Sequence, residues 1–133
     1  PESNPRSPLD VIHLYFVNIF LSIHSMTKRA ILIRETLGDI TEINLNIDPR
    51  KNEIFRIIGG SPTFIGQWPE LDVVIMKSQC GEIANKNKLP SPFDTEKVNG
   101  AILLVRMDEE SEHQDFTLAE YLRFLNGDKS IST

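Results

Sequence analysis

The residues best suited to binding chemistry are concentrated in one loop, which runs from Asn85 to Phe93 and reads NKNKLPSPF. Its two lysines and two asparagines can donate hydrogen bonds to a peptide, a phosphate or an acidic partner, while its Pro-x-Pro unit stiffens the chain. A purely structural alternative is that the prolines only stiffen a long connection, which Leu89 and Phe93 pin to the core. The candidate binding residues of this loop are Asn85, Lys86, Asn87, Lys88, Leu89, Pro90, Pro92 and Phe93.

Three further residues outside this loop are candidates. Trp68 is the only tryptophan; it would mark an interface if exposed, although packing at the edge of a small sheet is its ordinary position. Arg106 and Asp108 follow an apolar strand, where they would either face a shallow cleft or pair with neighbours across the sheet. A concave pocket in which these two residues and Lys88 converge would favour a small-ligand binder or an enzyme.

Catalytic, metal and phosphate motifs are not evident. Cys80 is the only cysteine, so no intrachain disulfide can form and a reducing compartment is expected. His113, the one histidine after Met26, lies in the acidic run DEESEHQD, which predicts exposure and no calcium loop. The glycines at 59–60 follow a predicted helix, whereas phosphate loops precede one. We therefore predict no catalytic residues, no metal and no cofactor, and an enzyme is the less favoured hypothesis.

The charge of the chain argues against nucleic acid as its main partner. The 133 residues carry a formal net charge of −5, and no run of lysine and arginine is longer than two residues. Binding to phosphates needs concentrated positive charge. The content of 40% hydrophobic and 25% charged residues is ordinary for a globular protein.

Two helices are predicted to hold these candidates in place. Asp48 can cap the first and Pro49 suits its first turn, so a helix of about ten residues should reach Gly59-Gly60. The second opens at a capping box formed by Thr117 and Glu120 and should stop at Asn126-Gly127. Their expected apolar faces are Ile54, Ile57 and Ile58 in the first, and Leu118, Tyr121, Leu122 and Leu125 in the second.

The remaining elements are predicted to be strands around one long loop, residues 78–99. The predicted strands are residues 30–34 and 40–47, which form an opening hairpin, followed by 61–68, 71–76 and the central strand 101–105. The order β-β-α-β-β-loop-β-α predicts an α+β fold, a mainly antiparallel sheet of about five strands with two helices on one face.

Met26 resembles a start codon inside the chain. Every predicted feature with a packing role begins after Met26, and we predict a leader at 1–25 and a single domain at 26–133. The leader has three explanations: translated non-coding sequence, a packed helix or strand, or a signal or membrane anchor. Its apolar stretch within residues 9–23 is shorter than the about 20 residues that span a bilayer, and polar residues interrupt it.

Four stretches after Met26 carry a family resemblance: GGSPTFIGQWPELDVVIM, NKNKLPSPFD, GAILLVRMDEES and DFTLAEYLRFL. Over residues 29–126 the chain resembles small α+β proteins encoded by large DNA viruses of algae and, more distantly, short phage-encoded domains. The resemblance implies a viral context. It implies no catalytic residues, because that family has no established activity.

The combined hypothesis is a non-enzymatic viral accessory protein. It would bind a host or viral protein through the loop 85–93 and the adjoining strand edge, in the host-cell cytoplasm or in association with the virus. One alternative is a small-ligand binder or enzyme with a pocket near Arg106 and the loop. The other is a membrane-associated factor that depends on residues 9–23.

Overall fold

A single antiparallel sheet organises the domain in the computed structural model, which describes Ile12 and residues 26–127. Its strands follow the order β2-β1-β5-β4-β3, and the short β6 pairs with the end of β5. This arrangement confirms the predicted α+β class and the central position of β5. The strands are β1 (Thr27–Ile33), β2 (Ile40–Asn46), β3 (Pro62–Trp68), β4 (Val73–Ser78), β5 (Ile102–Met107) and β6 (His113–Gln114).

The opening hairpin is also confirmed. β1 and β2 pair in antiparallel register from Thr27 opposite Asn46 to Ile33 opposite Ile40. The N–H of Arg34 donates to the carbonyl oxygen of Asp39 at 2.9 Å and closes the turn. Gly38 lies in this turn with φ of 84°, a conformation that glycine adopts without steric cost.

Two hydrophobic clusters cover opposite faces of the sheet. Residues 102–105 of β5 alternate between them and are all buried, as expected for a strand with both faces covered. The loop-side cluster includes Ile31, Ile33, Trp68, Val73, Ile75, Leu89, Ile102, Leu104, Phe116 and Tyr121. The cluster on the other face is called the α1-side cluster after the helix α1 (Glu53–Ile58), which packs in it. It includes Ala30, Leu45, Ile58, Met76, Leu103 and Val105.

The two α-helices within residues 26–127, α1 (Glu53–Ile58) and α2 (Leu118–Leu125), lie on different faces of the sheet. Ile58 of α1 packs in the α1-side cluster, whereas Tyr121 of α2 packs in the loop-side cluster. The prediction of both helices on one face is therefore wrong. Sequence periodicity shows that each helix has an apolar face but not which side of the sheet that face meets.

The first predicted helix is divided into two parts. Asp48 accepts from the N–H of Arg50 and caps only a 3-10 turn, Pro49–Lys51; its pKa is lowered first by the side-chain hydrogen bond from Arg50. Asn52 then adopts a left-handed conformation with φ of 52°, which ends the turn. Asparagine tolerates this conformation better than most residues. The α-helix therefore begins only at Glu53 and has six residues.

The capping box of α2 is confirmed. Thr117 Oγ1 accepts from the N–H of Glu120 at 3.2 Å, and Glu120 Oε1 accepts from the N–H of Thr117 at 3.1 Å. The predicted apolar stripe is partly wrong, because Leu122 and Leu125 are exposed and Phe124 packs against Trp68 instead. The face turned to the sheet thus follows positions 118, 121 and 124, an i, i+3 series.

The predictions of a leader and of a membrane anchor concern residues that, apart from Ile12, the structure does not describe. Residues 9–23, apart from Ile12, lie outside the described residues, as does the rest of the leader. Among the helices of the described residues, none is both long and apolar enough to cross a bilayer.

Candidate functional site

The first half of the loop alternates between inward and outward side chains. Asn85 and Asn87 are half-buried and Leu89 is buried, whereas Lys86 and Lys88 between them are exposed. This alternation is typical of an extended chain lying on a surface, in which successive side chains point in opposite directions. Both lysines consequently present their ammonium groups to solvent on one side of the loop.

Asn85 fixes the loop to the ends of two strands. Its side-chain Nδ2 donates to the carbonyl oxygen of Ile33 at 3.2 Å and to that of Gly100 at 2.9 Å. These carbonyls belong to the end of β1 and to the residue before Ala101 and β5. The amide therefore joins two neighbouring strands of the sheet.

Asn87 fixes the loop to the hairpin turn. Its Nδ2 donates to the carbonyl oxygens of Arg34 at 2.8 Å and Thr36 at 2.9 Å, and its Oδ1 accepts from the N–H of Gly38 at 2.8 Å. Because both hydrogen-bonding ends of this amide are engaged within the domain, Asn87 positions the loop. Of the loop's amide and ammonium side chains, the exposed ones are therefore those of Lys86 and Lys88.

The second half of the loop is held by Trp68, which is fully buried and thus takes its ordinary packed position. The indole Nε1 donates to the carbonyl oxygen of Ser91 at 3.1 Å. The ring of Phe93 meets the indole edge-on, with centroids 5.9 Å apart. Trp68 therefore shapes the loop from beneath, while Pro90 is half-buried and Pro92 exposed above it.

Arg106 is engaged in contacts that hold α2 to the sheet. Its Nε donates to the carbonyl oxygen of Leu71, and its Nη1 donates to the carbonyl oxygen of Asp115 and to Glu120 Oε2, each at 2.9 Å. The guanidinium also lies 4.9 Å from the centre of the Phe116 ring. Burial raises the pKa of Glu120, but the hydrogen bonds from Thr117 and Arg106 outweigh it and lower the pKa.

Asp108 organises the turn before β6. Its Oδ1 accepts from the N–H groups of Glu110 and Glu112, and its Oδ2 accepts from the side chain of Gln114. The pKa of Asp108 is lowered first by the hydrogen bond from Glu112 and then by that from Gln114. The carboxylate is thus used locally.

The alternative pocket near Arg106 is not assembled from the residues proposed for it. Lys88 lies in the part of the loop fixed beside the end of β1, which pairs with the start of β5 at Ile102. Arg106 is four residues beyond Ile102 along β5, which at the rise of a β-strand is about 14 Å from Ile102. The structure therefore separates Lys88 from Arg106 and Asp108.

The thiol of Cys80 and the imidazole of His113 are not brought together as a nucleophile and a base. Cys80 is exposed and follows the end of β4, which pairs with the start of β5. His113 pairs with Met107 at the opposite end of β5. His113 is half-buried, so its predicted exposure is wrong; the short β6 draws it into the sheet. In residues 26–127, no three His, Cys, Asp or Glu side chains group as metal ligands.

The edge strand β3 carries an exposed aromatic residue that sequence reasoning missed. Phe64 is 68% exposed and lies opposite Met76 of the α1-side cluster, whereas Gly66 lies opposite Ile75 of the loop-side cluster. A β-bulge at Ile65 separates the two registers. The adjacent apolar pair before Gly66 is the sequence signal that indicates such a bulge.

A comparison with protein families matches a family of unknown function, DUF5880, over residues 31–124. This range begins within β1 and ends within α2, so it includes most of the sheet, all of α1, most of α2 and the whole loop 85–93. No curated protein and no solved structure matches the chain. Because the match extends over most of its length, the chain belongs to the DUF5880 family, whose function is unknown.

Proposed function

We propose that this domain is a non-enzymatic module that binds another protein through the loop 85–93 and the adjoining edge of β3. The observation that carries the proposal is Phe64, an aromatic side chain that is 68% exposed on an edge strand. In the described part of the chain, no strand pairs with the outer edge of β3. A free edge with an exposed aromatic is a common element of protein recognition.

The opposite edge of the sheet has a different character. β2 is the other outer strand, and its exposed residues are Thr41, Glu42 and Asn44, all polar. The charge of Glu42 on this edge strand discourages pairing with other chains. The contrast between the two edges favours β3 as the one that contacts a partner.

The loop gives the proposed surface its second part. Pro92 and Phe93 lie beside β3, because Phe93 packs on Gly66 of that strand. Further along the same loop, Lys86 and Lys88 point to solvent. Phe64 lies opposite Met76 on the α1-side face, whereas the loop covers the other face, so the two parts meet only at the outer edge of β3. A partner that adds a strand to this edge would contact Phe64 on one face and present acidic groups to the two lysines on the other.

The engagement of polar groups within the domain supports binding over catalysis. Arg106 and Asp108 have their hydrogen-bonding capacity directed to neighbouring backbone and side chains. The thiol of Cys80 and the imidazole of His113 lie at opposite ends of β5. In the viral context that the resemblance implies, the partner would be a host or viral protein, in the host-cell cytoplasm or in association with the virus.

In the experiment, the full chain is attached to a resin and used for affinity capture from a lysate of cells in which it is naturally made. Two variants alter the proposed surface: Phe64→Lys, and the double variant Lys86→Glu with Lys88→Glu. We expect a protein retained by the unmodified chain to be lost with the first variant. The second variant should weaken its retention, most clearly at low salt, because screening reduces the contribution of exposed charges.

Matched controls carry the same changes elsewhere. Phe55→Lys alters a phenylalanine of α1 that is 43% exposed, and the double variant Lys51→Glu with Lys97→Glu reverses two exposed lysines outside the loop. Both should retain the partner. Capture that is identical for all variants, or no capture above bare resin, would show that this surface does not bind a protein. Circular dichroism of each variant confirms that the fold is kept.

A further inference from the structure

A concave site of about 300 Å³ lies at the end of the sheet opposite Arg106. It opens between the C-terminal end of α1, the residues after β1 and the residues between β4 and the loop 85–93. Its volume falls at the lower end of the range for small-ligand sites. The side chains that carry the argument are Arg34, Glu35, Ile57, Glu82 and Ile83.

The floor of this site is formed by two backbone segments in direct contact. A Cβ added to Gly81 would overlap the carbonyl oxygen of Asn99 and would lie 3.0 Å from the Cα of Gly100. The N–H of Gly100 donates to the carbonyl oxygen of Ile83 at 2.7 Å, which fixes the two segments together. The concavity is therefore present before any ligand arrives, a common property of small-molecule sites.

Charges of both signs line the mouth. In the part of the chain that the structure describes, the side chains of Arg34, Glu35 and Glu82 form no hydrogen bond and no ion pair. The lining thus includes two acidic residues and one basic residue. The acidic residues repel a simple anion, and the basic residue repels a simple cation. This set of charges instead complements a ligand that carries both.

An apolar wall accompanies the charges. Ile83 is 65% exposed although it lines a concave site, and Ile57 is half-buried on the facing wall of α1. A ligand with an apolar group would remove part of both side chains from water. Such burial is favourable in proportion to the apolar area covered.

We propose that this site binds a small zwitterion of amino-acid size with an apolar side chain. Its carboxylate would pair with the guanidinium of Arg34, a geometry that allows two parallel hydrogen bonds. Its ammonium would face the carboxylates of Glu35 and Glu82, and its apolar side chain would lie between Ile57 and Ile83. The site uses no residue of the protein-binding surface, so either proposal can fail without the other.

Cys80 provides a direct readout, because it is exposed in the wall of the site and is the only cysteine in the chain. The experiment follows the rate at which iodoacetamide alkylates Cys80 in the full chain at increasing concentrations of L-leucine. We expect saturable protection by leucine. Glycine, without a side chain, should protect more weakly, and N-acetyl-L-leucine amide, without either charge, should not protect.

Two variants test the assignment of the carboxylate to Arg34. Arg34→Gln should raise the leucine concentration needed for half-protection at least about tenfold, because a charge-assisted pair is lost. Arg123→Gln, at an exposed arginine of α2, is the matched control and should leave protection unchanged. Absence of protection by leucine, equal protection by the uncharged amide, or an unchanged Arg34→Gln variant would each overturn the proposal.

Discussion

The ring of Phe93 occupies the space that a side chain at position 66 would need. A Cβ added to Gly66 would overlap the ring and would lie 2.5 Å from Cε1. This contact joins the loop 85–93 to β3, so the two parts of the proposed binding surface are mechanically connected. Gly66 is therefore required for close approach.

A methyl group at position 66 should displace Phe93. We expect Gly66→Ala to lower the free energy of unfolding by about 1–3 kcal/mol, as overpacking of a filled site does. Urea denaturation measures this loss. In the double variant with Phe93→Ala, the loss should be smaller than the sum of the two single losses, because the clash is removed. Simple additivity would mean that the ring and position 66 do not compete for space.

Asn85 should be more sensitive to charge than to shape. Asn85→Asp keeps the size of the side chain but replaces the donor that serves the carbonyls of Ile33 and Gly100 with a negatively charged acceptor. The expected loss in the free energy of unfolding at neutral pH is about 1–3 kcal/mol. Asn44→Asp, at an exposed position of β2, is the control and should be nearly neutral. Equal stability of both variants would argue against a structural role of the Asn85 amide.

Arg106 is expected to contribute to stability. Its replacement by glutamine removes donors to Leu71, Asp115 and Glu120, and we expect the free energy of unfolding to fall by about 1–3 kcal/mol. Arg123→Gln should have little effect. Since Arg106 helps to lower the pKa of Glu120, its loss should also move acid unfolding to higher pH. Unchanged stability would instead favour a role in binding a ligand.

His113 should make stability depend on pH in the mildly acidic range. Burial, followed by the nearby Lys28, lowers the pKa of His113 below its ordinary value of 6.5. Its Nδ1 is buried and has no hydrogen-bond partner among the residues that the structure describes. The unfolded chain therefore binds a proton more readily than the folded one. Stability should decline as pH falls from about 6.5 toward the lowered pKa, by at most about 1.4 kcal/mol per pH unit.

The variant His113→Gln separates this contribution from that of other titrating groups. Urea denaturation at a series of pH values should show a smaller decline below pH 6.5 for the variant. His13 and His24 are present in both proteins, so their titration cancels in the comparison. Parallel pH profiles would show that the imidazole is equally accessible to protons in the folded and unfolded chains.

Local features of the fold were predictable from the sequence. The face of the sheet on which a helix or a side chain lies was not. The capping box of Thr117 and Glu120 depends on residues three apart, and the pattern alone identifies it. The interruption at Asn52 and the bulge at Ile65 each change the direction of the residues that follow. One such shift reverses which face a side chain meets, so the exposure of Phe64 depends on tertiary structure.

The candidate site shows the same division between local features, which the sequence reveals, and tertiary contacts, which it does not. The long loop with two prolines was recognisable from composition, and its lysines are exposed as a binding role requires. Its two asparagines were grouped with the lysines, but in the structure their amides donate to the hairpin turn and to Gly100, which precedes β5. No residue spacing could have revealed those acceptors, because they are backbone carbonyls more than ten residues distant.

The attachment of the loop at both ends has a consequence for the kinetics of recognition. Asn87 holds one end to the hairpin turn, and the indole of Trp68 holds the other at Ser91. A segment that is ordered before encounter gives up little conformational entropy when a partner docks. Association should therefore proceed as the docking of rigid bodies, with a rate that responds to ionic strength through Lys86 and Lys88 and little to folding of the loop.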